Sequence, residues 1–188
     1  MLDQLLLVSG SLRRRSTNTS VLRTLRDLAP FGLTYVLYER LGDLPHFNPD
    51  LDGQTLDPVV ADLRTQIHHA GAIVFSTPDY AGALPGSFKN LLDWTIGDDH
   101  PRSIHQKPVA WINASPRGAT AAHDSLRSVL HYANAELVES ACIEVSVTAS
   151  MINEDGLVAD PAVRGALGRL VSNLDTRRAR NNPGFGST

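Results

Sequence analysis

The chain has 188 residues, enough for one domain with a full hydrophobic core. Its composition, 42% hydrophobic and 20% charged, is that of a globular protein rather than a disordered or membrane-embedded one. A net charge of -3 argues against electrostatic capture of nucleic acid or of an anionic membrane, and the single cysteine, Cys142, excludes an intrachain disulfide and a thiolate metal cluster.

Met1–Ser9 carries an acid, Asp3, ahead of a short apolar run, unlike the basic start and longer apolar stretch of a secretory signal. A cytoplasmic location is therefore expected, and no run approaches the ~20 apolar residues of a membrane-spanning helix. Leu5–Ser9 is a continuous apolar run stopped by Gly10, which reads as a strand buried on both faces. Ser16, Thr17 or Asn18 can cap a helix running to Ala29, with Val21, Leu22, Leu25 and Leu28 on one face. Leu33–Tyr38 reads as a second strand, followed by a Pro-, Gly- and Asp-rich loop from Gly42 to Asp57.

Pro58 opens a helix to His69 with Val59, Leu63 and Ile67 at helical spacing. Ala72–Ser76 is a third buried strand, and Pro85–Gly86 precede an amphipathic helix, Ser87–Trp94. Val109–Asn113 gives a fourth strand, Ala121–Ala133 a helix, Cys142–Val147 a fifth strand and Ala162–Leu174 a last helix. One domain, 1–176, is expected, with a loose tail over 177–188 rich in Arg, Asn, Gly and Ser. Strands alternating with helices predict an α/β fold: a doubly wound, five-stranded parallel sheet of order 2-1-3-4-5 with helices on both faces. Ligands in such a sheet sit beyond the carboxyl ends of the strands, near the switch between strands one and three.

Three loops leave those strand ends. The first, Gly10–Thr19, joins a buried strand to a helix N-terminus, where free N–H groups and the helix dipole favour an anion. Ser11, Ser16, Thr17, Asn18 and Thr19 add neutral donors and Arg13 a charged one, a set suited to a phosphate monoester. The loop lacks both GxGxxG and GxxxxGK[ST], which removes the dinucleotide-fold and triphosphatase readings. Arg14 and Arg15 read as a solvated turn, with the phosphates of a second ligand as the competing use.

The second loop, Ser76–Gly86, is fixed by Pro78 and Pro85 and opened by Gly82 and Gly86, so its peptide groups can lie along a flat ring with Tyr80 covering an edge. The third, Asn113–Thr120, carries small residues where a planar ligand can come close. Cys142, between Ala141 and Ile143, reads as a small buried hydrophobe. The seven histidines, His68–His69, His105 and His123 among them, lack the spacing of a ligand set, so no metal is expected.

On Gly-Ser-Leu-Arg…Ser…Asn at 10–18, Thr-Pro-Asp-Tyr…Pro-Gly-Ser-Phe-Lys-Asn-Leu-Leu-Asp-Trp at 77–94 and Ala-Ser-Pro-Arg-Gly at 114–118, the chain resembles the NADPH-dependent FMN reductases, a flavodoxin-like family that includes quinone, chromate and azo-dye reductases. The resemblance implies FMN, with Ser11, Arg13, Ser16, Asn18 and Thr19 around its phosphate. It places Pro78, Asp79, Tyr80, Ala81 and Gly82 along the isoalloxazine, and Ser115 and Gly118 near the ring's other edge. It implies no catalytic side chain, because the flavin carries the hydride chemistry. NADPH or NADH is the implied donor and a quinone, free flavin or similar small molecule the acceptor, in a ping-pong cycle. It also implies a homodimer, or a homotetramer of two such dimers, formed near the helix that bears Lys89, Asn90, Asp93 and Trp94. Two readings compete: a flavodoxin-type electron-transfer protein without its own NAD(P)H oxidase chemistry, and a flavin-free regulatory domain. A receiver domain wants acids at the ends of strands one and three, where Ser9 and Ser76 stand instead.

Overall fold

The computed structural model describes residues 3–28, 32–53, 55–96 and 103–181, with residues 176–181 given by backbone alone. The strands are β1 (Gln4–Ser9), β2 (Thr34–Tyr38), β3 (Ala72–Ser76), β4 (Pro108–Asn113), β5 (Glu136–Leu137) and β6 (Ile143–Glu144). The helices are α1 (Thr17–Asp27), α2 (Pro58–His69), α3 (Gly86–Thr95), α4 (Thr120–Tyr132) and α5 (Pro161–Asn181). The sheet runs β2-β1-β3-β4-β5, every pairing parallel, which is the flavodoxin-like order expected from the alternation of elements.

Alternate residues of each strand point to opposite faces, so the central strands feed two separate cores. Leu6, Val8, Ile73, Phe75, Val109 and Trp111 pack with Val60, Leu63 and Ile67 of α2, Phe88 and Leu91 of α3 and Leu126 and Leu130 of α4. Leu5, Leu7, Ala72, Val74, Ala110 and Ile112 pack with Val21, Leu22 and Leu25 of α1 and Val163, Leu167 and Leu170 of α5. That double burial is why β1 and β3 read as unbroken apolar runs.

The far edge of the sheet departs from expectation. In place of one strand over Cys142–Val147 there are two short pieces, β5 and β6, both paired to β4 and separated by a 3₁₀ turn at Glu139–Ala141. Leu137 stands opposite Val109 and Ile143 opposite Ile112, so the edge spends six residues where β4 spends three. Val138 and Ala141 are both buried against the α5 side. An extended strand would send residues three apart to opposite faces, whereas a 3₁₀ turn brings them to one. Edge strands tolerate such interruptions because only one ladder is broken.

The last helix continues past Leu174 to Asn181, which makes residues 177–181 helical. No Gly or Pro follows Gly168 before Pro183, so nothing in the sequence stops it earlier. The rest of the expected tail, 182–188, lies outside the described residues. The loop between β2 and α2 is tied down by α3: Phe47 N–H donates to Asn90 Oδ1 (2.8 Å), and Asn90 Nδ2 and Trp94 Nε1 both donate to Pro45 O (2.9 and 2.8 Å). Lys89 pairs with Asp93 along the helix. Asn90 and Trp94 of the middle motif therefore brace a loop while Lys89 and Asp93 pair with each other, and none of the four borders the cleft described below. No helix among the described residues is long and apolar enough to cross a membrane.

Candidate functional site

At the carboxyl ends of β1, β3, β4 and β6 lies a cleft of about 740 Å³, within the ordinary range for a cofactor site. Its first wall is the loop into α1. Gly10 N–H donates to Ser76 O (2.8 Å) and so carries the β1–β3 ladder one residue further before the chain turns. Ser16, almost fully buried, caps α1 by accepting from Thr19 N–H at 3.3 Å. The first N–H groups of a helix have no intrahelical acceptor, and those of Thr17 and Asn18 find none among the described residues. Ser11, Arg13, Ser16, Thr17 and Asn18 border the cleft, while Arg14 and Arg15 do not.

Asn18 does a second job. Its Oδ1 accepts from Ser76 Oγ (2.9 Å), and the same hydroxyl lies 2.8 Å from Ile112 O, so α1 is pinned over the ends of β3 and β4. Thr19 stands back from the cleft, with its hydroxyl 2.8 Å from Ser9 Oγ.

The second wall is Pro78, Asp79 and Tyr80. Tyr80 and Ala83 exchange both backbone hydrogen bonds (3.1 and 3.2 Å), closing a two-residue hairpin whose central residues, Ala81 and Gly82, both have positive φ (54° and 72°). Asp79 Oδ1 accepts from Gly82 N–H at 2.8 Å and locks the turn. Ala81 and Gly82 thus form an exposed tip and shape the wall without bordering the cleft.

The third wall holds Ser115, Pro116, Arg117, Ala119 and Thr120. Asn113 clamps it from the end of β4: Ser115 N–H donates to Asn113 Oδ1 (3.2 Å) and Asn113 Nδ2 donates to Gly118 O (3.0 Å). Gly118 (φ 91°) serves this turn and, unlike Ser115, does not face the cleft. Ala119 precedes α4 in a left-handed conformation (φ 31°), held by His123, whose Nδ1 lies 2.9 Å from its carbonyl. Burial pushes the His123 imidazole below its ordinary value near 6.5.

A fourth wall, Val147–Ala149, carries no motif in the sequence. The signal for it was the fold rule alone: the segment leaves the carboxyl end of the last strand, as the other three leave theirs. Cys142 is outside the cleft, half-buried, with its thiol pushed up to about 11 by burial. Among the described residues no group of three or more His, Cys, Asp and Glu side chains is arranged to hold a metal ion.

The cleft's charge is that of an anion site. Arg13 and Arg117 border it without a carboxylate partner among the described residues, and the one acid in its wall, Asp79, is engaged with the hairpin. Free N–H groups, three hydroxyls and a guanidinium at one end, with rigid loops of small residues beside them, fit a phosphate monoester joined to a flat ring.

The sequence model of the NADPH-dependent FMN reductases matches residues 4–149. The chain belongs to this family. It is similar to a quinone reductase of Pseudomonas putida, 29% identical over 177 residues that span 92% of this chain and 95% of that protein. An NAD(P)H-dependent FMN reductase of Pseudomonas aeruginosa is 29% identical over 159 residues, 84% of this chain and 85% of its own. Among solved structures, FerB, a flavoenzyme NAD(P)H:(acceptor) oxidoreductase of Paracoccus denitrificans, superposes with a TM-score of 0.79 at 29% identity, covering 93% of this chain and 98% of that one. This FMN reductase family member is accordingly an oxidoreductase of flavodoxin-like fold.

Proposed function

We propose that the chain is an FMN-dependent NAD(P)H oxidoreductase that passes hydride equivalents to a quinone, a free flavin or a similar small acceptor in a ping-pong cycle. The observation that carries this reading is the cleft itself: a phosphate-type donor set on the β1 loop continuous with a wall of Pro78, Asp79 and Tyr80 on the β3 loop. FMN, when bound, supplies the hydride chemistry. The protein's part is to bind and to orient. Ser11, Ser16 and the open N–H groups of α1 take the phosphate, with Arg13 adding a charge-assisted bond. Pro78, Asp79 and Tyr80 border one side of the ring and Ser115 the other, with Asn18, Ala81, Gly82 and Gly118 holding those loops in shape. Thr19 supports Ser9 behind the phosphate loop. The open mouth leaves room for donor and acceptor in turn.

A dimer formed near α3, and a cytoplasmic setting, belong to the same proposal. Tyr80, half-exposed on the loop that leads into α3, supports the dimer by leaving aromatic surface uncovered in the monomer.

The test is direct. The purified protein is incubated with FMN, washed, and its visible spectrum recorded; NADPH and NADH oxidation are then followed with a benzoquinone present. A retained flavin spectrum and quinone-dependent oxidation are expected. Flavin uptake with no oxidation of either donor would instead mark an electron-transfer flavodoxin, and no uptake at all would remove both readings.

A further inference from the structure

The donor set on α1 accounts for one phosphate, yet the cleft holds a second unpaired guanidinium on a different wall. We propose that Arg117 is the docking point for a phosphate of the nicotinamide donor, an inference that rests on the function proposed above. Arg13 rises from the loop after β1 and Arg117 from the loop after β4, with β3 between them. Adjacent strands are about 4.8 Å apart, so the two backbones are offset by roughly 10 Å across the mouth.

The turn that carries Arg117 is built to hold it. Its N–H donates to Ser115 Oγ (3.2 Å), Gly118 N–H returns to Ser115 O (3.2 Å), and Asn113 ties both ends of the turn to β4. Pro116 fixes the backbone on one side, and the left-handed pair Gly118–Ala119 redirects it on the other. A basic residue with no such role would sit on a loose surface turn or beside an acid. Arg127 and Arg164 illustrate the second case, paired with Glu139 and Asp27. Arg117 faces the cleft and has no acid partner among the described residues. A guanidinium takes phosphate oxygens in a bidentate fork, and both nicotinamide dinucleotides carry a pyrophosphate, to which NADPH adds a 2′-phosphate.

The experiment uses the FMN-loaded protein, wild type and the variants Arg117→Ala and Arg117→Lys. Steady-state rates are measured with NADPH and with NADH at fixed quinone. Adenosine 2′,5′-bisphosphate is titrated calorimetrically as a donor fragment that binds without turnover, and FMN affinity is read from fluorescence quenching of the apoprotein. Arg117→Ala should raise the NADPH KM roughly tenfold or more, with the change falling on KM rather than kcat, and should weaken the fragment similarly. The lysine variant should recover part of both, while FMN affinity stays at the wild-type value. A rise for NADPH alone assigns the 2′-phosphate; equal rises for both donors assign the pyrophosphate, whose adenosine-side phosphate the fragment also carries. Unchanged KM values with both donors would overturn the inference, as would a loss of FMN affinity matching that of Arg13→Ala. If the wild-type protein oxidises neither donor, the proposed function itself fails, and that outcome is distinct from the others.

Discussion

Gly10 and Thr77 are in closer contact than any side chain on Gly10 would allow: a β-carbon there would stand 2.5 Å from Thr77 Oγ1 and 2.9 Å from Phe88 Cγ. The phosphate loop and the ring loop are thereby pressed together at their roots, backed by the Gly10 N–H bond to Ser76 O. Gly10→Ala should cost about 1–3 kcal/mol of stability by overpacking and should weaken FMN retention by prising the two walls apart. Urea unfolding and an FMN titration of the same variant check both; wild-type values in both would show that the contact relaxes freely.

Ala81 occupies a turn position that favours Asn or Gly, because a left-handed backbone crowds its β-carbon. Ala81→Asn should therefore raise stability by about 0.5–1 kcal/mol without altering FMN affinity, since the tip lies off the cleft. A thermal melt reads the first and fluorescence quenching the second.

His123 gives stability a pH dependence with a definite sign. Its Nδ1 faces a carbonyl and so carries the ring proton, leaving a buried Nε2 with no partner among the described residues. Burial holds its pKa below the ordinary 6.5, outweighing the Ala119 carbonyl and the carboxylates of Glu144, Asp124 and Asp79, which act the other way. The unfolded chain thus takes the proton first as pH falls. Stability should be full above about 6.5 and decline below it, by at most about 1.4 kcal/mol per pH unit from this group. Urea midpoints at about pH 7.5 and about pH 5.5 should differ less in His123→Gln than in the wild type; equal differences would contradict the assignment.

Cys142 should be chemically quiet. With its thiol near 11, about one molecule in a thousand is thiolate at pH 8, so iodoacetamide labelling should be far slower in the folded protein than in urea. Cys142→Ser should retain NADPH oxidation, because the side chain is outside the cleft.

The features legible from sequence were those that local chemistry dictates. Leu5–Ser9 and Ala72–Ser76 announced themselves because both faces of those strands are buried, whereas the cap of α1 is legible only as Ser16, Thr17 or Asn18, since any short polar side chain there can do it and the fold selects Ser16. The edge strand was misplaced because the pair Val138–Ala141 takes its spacing from packing against α5, a long-range demand no local pattern encodes. The fourth wall at Val147–Ala149 was missed for the same kind of reason, since small uncharged residues become a site only through their position in the sheet. Asn90 and Trp94 stood out in the sequence, but their bonds to Phe47 and Pro45, which show a structural role, span more than forty residues.

The most direct test of the account compares FMN with riboflavin, which differs only in lacking the phosphate. Titrating the apoprotein with each and following flavin fluorescence, the donor set on the α1 loop predicts FMN binding at least about a hundredfold tighter, the worth of one or two charge-assisted bonds. That preference should shrink in Ser16→Ala and in Arg13→Ala. Equal affinity for the two flavins would contradict the placement of the phosphate on Gly10–Thr19, and with it the central claim.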